Sequence, residues 1–156
     1  MSVLFVAGKR PTAAEMSEAT QTLIKGQRRT TNDTATSGTT EQVWATTPTL
    51  SLPASTTITL IAACYWLNSV SNDQFFMRLR QTNLAGTILN GVVAHVGLGG
   101  GPYTTWVSYT FETSTATSQV YVATIVRGVG TGTATVQLNS ELGAFRRGNS
   151  GLFTTI

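Results

Sequence analysis

One cysteine, one histidine and a shortage of charge set the first limits on this chain of 156 residues. Cys64 alone excludes an intramolecular disulfide and a cysteine-built zinc site, and its place in an apolar run reads as a small buried hydrophobe rather than a reactive thiol. His95 alone excludes a histidine metal cluster. It reads as a surface or interface residue, since no nucleophile-elbow pattern surrounds any serine. No apolar run approaches the ~20 residues of a membrane-spanning helix. The opening Met1–Pro11 has too short an apolar run for a signal peptide and places its charges after that run. No repeat of 20–50 residues is visible, which argues against a solenoid or propeller.

Charged residues make up 11% of the chain and hydrophobic ones 41%, so this is a folding sequence, not one of low hydrophobicity and high charge. The formal net charge of +3 is unevenly placed. Lys9, Arg10, Lys25, Arg28 and Arg29 against Glu15 and Glu18 put all of it in residues 1–29. The remainder balances Arg78, Arg80, Arg127, Arg146 and Arg147 against Asp33, Glu41, Asp73, Glu112 and Glu141. A nucleic-acid binder needs a basic face on its folded body, and this body is neutral.

In place of charge the chain carries hydroxyls, 29 Thr and 12 Ser. β-Branched Thr suits the solvent side of a sheet. From Glu41 onward the apolar pattern has a period of two. Trp44, Thr46, Leu50 and Leu52 share one face, with Pro48 at an edge or bulge. Ile58, Leu60, Ala62, Cys64 and Trp66 share a face of a strand whose later half is apolar on both sides, which marks it as central. Phe75, Met77 and Leu79 oppose Gln74, Arg78 and Arg80, with Phe76 out of pattern. Ile88, Val92, Ala94 and Val96 are in phase, with Gly91 a bulge or close approach. The clearest alternation sets Tyr103, Thr105, Val107, Tyr109 and Phe111 against Thr104, Trp106, Ser108, Thr110 and Glu112. Val120, Val122, Thr124 and Val126 follow, then Ala134, Val136 and Leu138, continuing through Leu142–Arg146.

With Arg28–Asn32 as a possible first strand, this predicts an all-β, antiparallel β-sandwich, jelly-roll-like, of seven to eight strands. The exception lies upstream. Thr12-Ala13-Ala14-Glu15 is a capping box, and Met16, Ala19, Leu23 and Ile24 fall on one stripe at helical spacing, with Lys25 and Gly26 at the end. The pattern predicts a short amphipathic α-helix over about 13–25 within an N-terminal arm of residues 1–29. A linker or edge strand over 30–40, a β-sandwich over 41–147 and a tail over 148–156 complete the expected organisation. A helix this short needs a partner surface, either its own sheet or another chain.

Chemistry-bearing constellations are sparse. The body's five acids fall mainly in turns, a strand edge and the linker, where solvation explains them better than glycoside hydrolysis. Gly97–Pro102 lacks the Lys-Ser/Thr ending of a phosphate loop. Asn32-Asp33-Thr34 matches the N-glycosylation pattern, which matters only in a secretory host. No enzyme and no cofactor is expected. Trp106 stands among hydroxyl residues on a polar strand face and, with His95, is the candidate partner surface. The three tryptophans and four tyrosines keep a sugar-stacking role in play.

The opening Phe5-Val6-Ala7-Gly8-Lys9-Arg10-Pro11-Thr12-Ala13-Ala14-Glu15-Met16, and the Arg28-Arg29-Thr30-Thr31 entry into a Thr-rich β region, resemble small virion structural proteins of tailed bacteriophages, notably those infecting actinobacteria. The specific wording covers about thirty residues. The resemblance implies a capsid decoration, head-fibre or minor tail component located in the virion, assembled in the host cytoplasm, with no catalytic residues. Its partners would be the major capsid protein or tail proteins of the same particle, reached through Met16, Ala19, Leu23, Ile24, Arg28 and Arg29. A homo-oligomer, a trimer by preference, is expected. The competing expectation is a fibre-tip module with a lectin-like face for a host-surface glycan.

Overall fold

The computed structural model of the chain describes residues 21–28, 39–95 and 102–147, with 21–28, His95, Pro102 and Arg147 described by their backbone alone. Eleven strands occupy them: β1 (Gln21–Arg28), β2 (Gln42–Thr46), β3 (Leu50–Leu52), β4 (Thr56–Asn68), β5 (Gln74–Gln81), β6 (Ile88–His95), β7 (Pro102–Thr113), β8 (Thr117–Gln119), β9 (Tyr121–Val129), β10 (Ala134–Val136) and β11 (Glu141–Arg147). All pairings are antiparallel.

The first sheet is organised by β4, whose thirteen residues make it the longest strand. One of its edges pairs with β7 along Thr56–Leu67, and the other takes β11 against Thr57–Ala63 and then β10 against Trp66–Asn68. β1 adds to the outside of β11. The second sheet runs β2, β9, β5, β6, and β3 with β8 forms a small separate ribbon. Reading β10 and β11 as one interrupted strand and setting the ribbon aside leaves eight strands. In chain order the first sheet then runs first-eighth-third-sixth and the second runs second-seventh-fourth-fifth.

The two sheets face each other across one core. Ile58, Leu60, Ala62, Cys64 and Trp66 of β4, with Leu142 and Ala144 of β11, meet Phe75, Met77 and Leu79 of β5 and Tyr121, Ala123 and Ile125 of β9. The strict alternation of β4 follows from the strand period, which sends every second side chain inward. Each large apolar side chain buried this way is worth about 1.5–3 kcal/mol. Aromatic contacts link the sheets at two points, with ring centroids of Trp66 and Phe75 5.1 Å apart and those of Phe111 and Tyr121 5.9 Å apart. The centrality read from the sequence of β4 and the inward face of β5 are both present.

Four expectations are corrected, each for a physical reason. The helix expected over 13–25 does not extend over residues 21–25, which belong to β1; residues 13–20 lie outside the described residues. Pairing of β1 with seven consecutive-strand partners from Arg147 to Glu141 supplies backbone hydrogen bonds that a marginal helix end cannot match. The first strand described spans Gln21–Arg28 and joins residues assigned to an arm to the sheet; of the strand expected over Arg28–Asn32, residues 29–32 lie outside the described residues. Thr46 is exposed while Thr47 is buried, because the β2–β9 pairing shifts register between Val43 and Ala45 and reverses the facing. Likewise Ile88 is exposed and Leu89 packs against the core, because the β5–β6 pairing shifts between Leu79 and Arg80. Gly91 is a close approach: a Cβ there would stand 3.2 Å from Arg78 Cγ and 3.3 Å from the Met77 carbonyl oxygen.

Candidate binding face

The outer surface of the first sheet is built by the residues of β4, β7 and β11 that alternate with the core. Register places Trp106 of β7 directly opposite Ala63 of β4, and Glu141 of β11 opposite the same Ala63 on its other side. Along β4 the neighbours on this face are Ile61 and Tyr65. The result is a shallow trough with Ala63 as its floor, the Trp106 indole on one side, the Glu141 carboxylate on the other, and Ile61 and Tyr65 at its ends. At ~4.8 Å between strands, the two sides are roughly 10 Å apart at the backbone. Trp106 is 65% exposed, the highest exposure of any large hydrophobic residue among those described, and Tyr65 is 38% exposed. Thr104, Ser108 and Thr110 flank Trp106 along β7, and the Thr110 hydroxyl is hydrogen-bonded to that of Thr59 at 3.0 Å.

The second sheet treats its outer face differently. Glu41, just ahead of β2, accepts hydrogen bonds from Arg78 Nη1 at 2.9 Å, Arg80 Nε at 2.9 Å, Arg80 Nη2 at 2.7 Å and the Thr124 hydroxyl. Burial alone would raise the Glu41 carboxyl, but the hydrogen bonds from Arg80 and Thr124 and the charges of Arg80 and Arg78 outweigh it and hold the group below its usual 4.5. The same hydrogen bond raises Arg80. Arg78 also lies over the Phe76 ring, 5.3 Å from its centroid, which explains why an aromatic residue breaks the alternation of β5. Val122 and Thr124 beneath this network are buried although they face away from the core.

The remaining acids are dispersed. Asp73 is buried and holds the turn before β10, its carboxylate accepting from the Gly132 amide at 2.5 Å and the Thr131 amide at 3.3 Å. Gly130 in that turn has φ +106°, which a side chain would strain. Glu112 and Glu141 share a face, but they stand opposite Thr57 and Ala63, six positions apart on β4. At ~3.4 Å per residue that is roughly 20 Å, well beyond the separation a glycosidase pair requires. Among the described residues no group of three His, Cys, Asp or Glu side chains could hold a metal ion. No helix among them is long and apolar enough to cross a membrane.

Of the residues singled out from sequence, Trp106 is exposed on the outer face, as its alternation implied. His95 ends β6, opposite Gln74 in the other sheet, so it is not on the strand that carries Trp106. Leu23, Ile24 and Arg28 lie in β1. Met16, Ala19, Arg29 and the Asn32-Asp33-Thr34 motif lie outside the described residues. Sequence reasoning missed the Glu41 network, whose signal was two arginines at alternate positions on the non-core side of a strand.

No protein-family model and no curated protein matches the chain. Among solved structures the chain is similar to one of infectious bursal disease virus, Gx strain, with a TM-score of 0.50 and 12% identity over 81% of this chain and 33% of that one. The likeness is one of fold. The VP2 subviral particle of the same virus gives 0.47 at 13% identity, over 83% of this chain and 33% of that one. Eiger TNF from S. frugiperda gives 0.41 at 11% identity, over 63% of each chain. This chain spans about a third of the length of the viral chain named first.

Proposed function

We propose that the chain is a non-enzymatic structural component of a virus particle, located in the virion and built as a jelly-roll sandwich. The observation that carries this reading is the strand order. Sheets of first-eighth-third-sixth and second-seventh-fourth-fifth strands are those of two interlocked Greek keys, an arrangement common in viral shells. The fold likeness to a structure of infectious bursal disease virus supports the same reading. Within it, the chain is a capsid decoration or head-fibre protein of a tailed phage. Residues 1–20, with Met16, Ala19, Lys9 and Arg10, serve as the attachment arm, and the sandwich projects from the particle as a homo-oligomer, a trimer by preference.

The test is cosedimentation of the full chain with its parent particle, beside the full-length variant Met16→Asp. Wild-type chain is expected to pellet with particles, and M16D to lose at least tenfold in bound fraction while its melting temperature is unchanged. Equal binding by M16D overturns the arm. Absence of binding by the wild-type chain to particles stripped of it overturns the virion assignment.

A further inference from the structure

We propose that the trough over Ala63, between Trp106 and Glu141, is a binding site for a neutral glycan. The inference does not rest on the particle assignment. The largest side chain the fold leaves in water is an indole, 65% exposed, held on a β-ladder and not on a loop. A strand position fixes its base and limits its rotamers, so the indole meets a ligand with little ordering cost. Ala63 keeps the floor beside it low, and Tyr65 places a phenol diagonally across the ladder, at about 7–8 Å between such positions. An aromatic face beside a ring of hydroxyls matches a pyranose, which has an apolar C–H face to stack and a rim of hydroxyls to hydrogen-bond. Thr104 and Ser108, on either side of Trp106 along β7, supply that rim.

Charge selects the class of sugar. Register matches the charged positions of this sheet's outer face, with Arg28 of β1 opposite Glu141, and Arg147 of β11 and Glu112 of β7 on either side of Thr57 of β4, while Arg78 and Arg80 are tied to Glu41 on the opposite sheet. A face with acids and arginines matched in this way offers no basic excess to hold sulfated or uronic-acid glycans or nucleic acid, and suits a neutral sugar. A second copy of the chain is the rival occupant.

The experiment titrates the full chain with hexasaccharides of glucose, mannose, galactose and N-acetylglucosamine, and with heparin as the anionic control, reading tryptophan emission and calorimetry. Trp44 and Trp66 are buried, so water-exposed emission reports Trp106. At least one neutral hexasaccharide is expected to shift the emission to the blue and to release heat, and heparin to do neither. Trp106→Ala is expected to lose at least tenfold in affinity and Trp106→Phe to retain part of it, both with unchanged circular dichroism. Silence across the neutral panel at millimolar concentration overturns the proposal, as does equal binding by W106A. A blue shift that tracks protein concentration without sugar, abolished together with a dimer or trimer by W106A, assigns the face to a second copy and also overturns it.

Discussion

The two sheets of this sandwich share a core but finish their outer faces in opposite ways. The second sheet closes its face on itself, with Glu41 binding Arg78, Arg80 and Thr124 over the buried Val122 and Thr124. The first leaves Trp106 and Tyr65 in water among threonines and serines. Side chains engaged with one another are unavailable to a partner, whereas an indole left in water gains on being covered. The contrast is one of self-support on one outer face and, under the glycan proposal, recognition on the other.

The largest effect that probes this contrast pairs two tryptophans of the first sheet. Trp66→Ala removes a fully buried ring that touches Phe75 and Tyr103 and hydrogen-bonds the Thr105 hydroxyl at 3.0 Å. It is expected to cost about 3–5 kcal/mol in urea unfolding, as for other buried aromatic residues. A loss below 1 kcal/mol would deny that the sheets meet at this ring.

Glu41→Ala comes next. It leaves Arg78 and Arg80 facing each other without their shared acceptor, and is expected to cost about 2 kcal/mol by the same measurement. The cost should fall partly to Arg80→Met, which removes the charge but keeps much of the stem.

The acid limb of stability is a smaller effect. Because Glu41 is held below its usual 4.5, it binds fewer protons folded than unfolded as pH drops through that value. Its contribution is full above about 4.5 and is lost as pH falls through the lower folded value. Glu41→Gln should flatten that part of the stability profile measured by thermal melts from pH 6 to pH 2.5; an unchanged slope would place the acid sensitivity elsewhere.

Trp106→Ala is the smallest, within about 0.5 kcal/mol of wild type, as for surface positions away from the core. A loss approaching that of Trp66→Ala would show that the indole supports the fold and would erase the contrast between the faces.

The period-two pattern made the sandwich legible. β4, β5 and β7 could be read residue by residue, including the centrality of β4 and the exposure of Trp106. What escaped were features that depend on neighbours in space. The register shift at Val43/Ala45 reverses facing without any glycine or proline in β2, the one at Leu79/Arg80 falls at Leu89, two residues before the Gly91 that marked β6, and β3 and β8 are too short to show a period. β1 was hidden because Leu23, Ile24 and Lys25 complete a helical stripe begun at Met16, and only the free edge of β11 makes a strand the better state there. The trough followed the same rule. Trp106 could be named from its strand, but Ala63 and Glu141 are its neighbours only through register, across forty-three and thirty-five positions of sequence.

The most direct test of the account as a whole is quantitative mass spectrometry of parent particles purified to constant density, with an untagged chain. The account expects the chain to band with intact particles at a fixed stoichiometry to the major shell protein, a multiple of the particle's symmetry. A chain left at the top of the gradient, or one whose ratio varies between preparations, would contradict it.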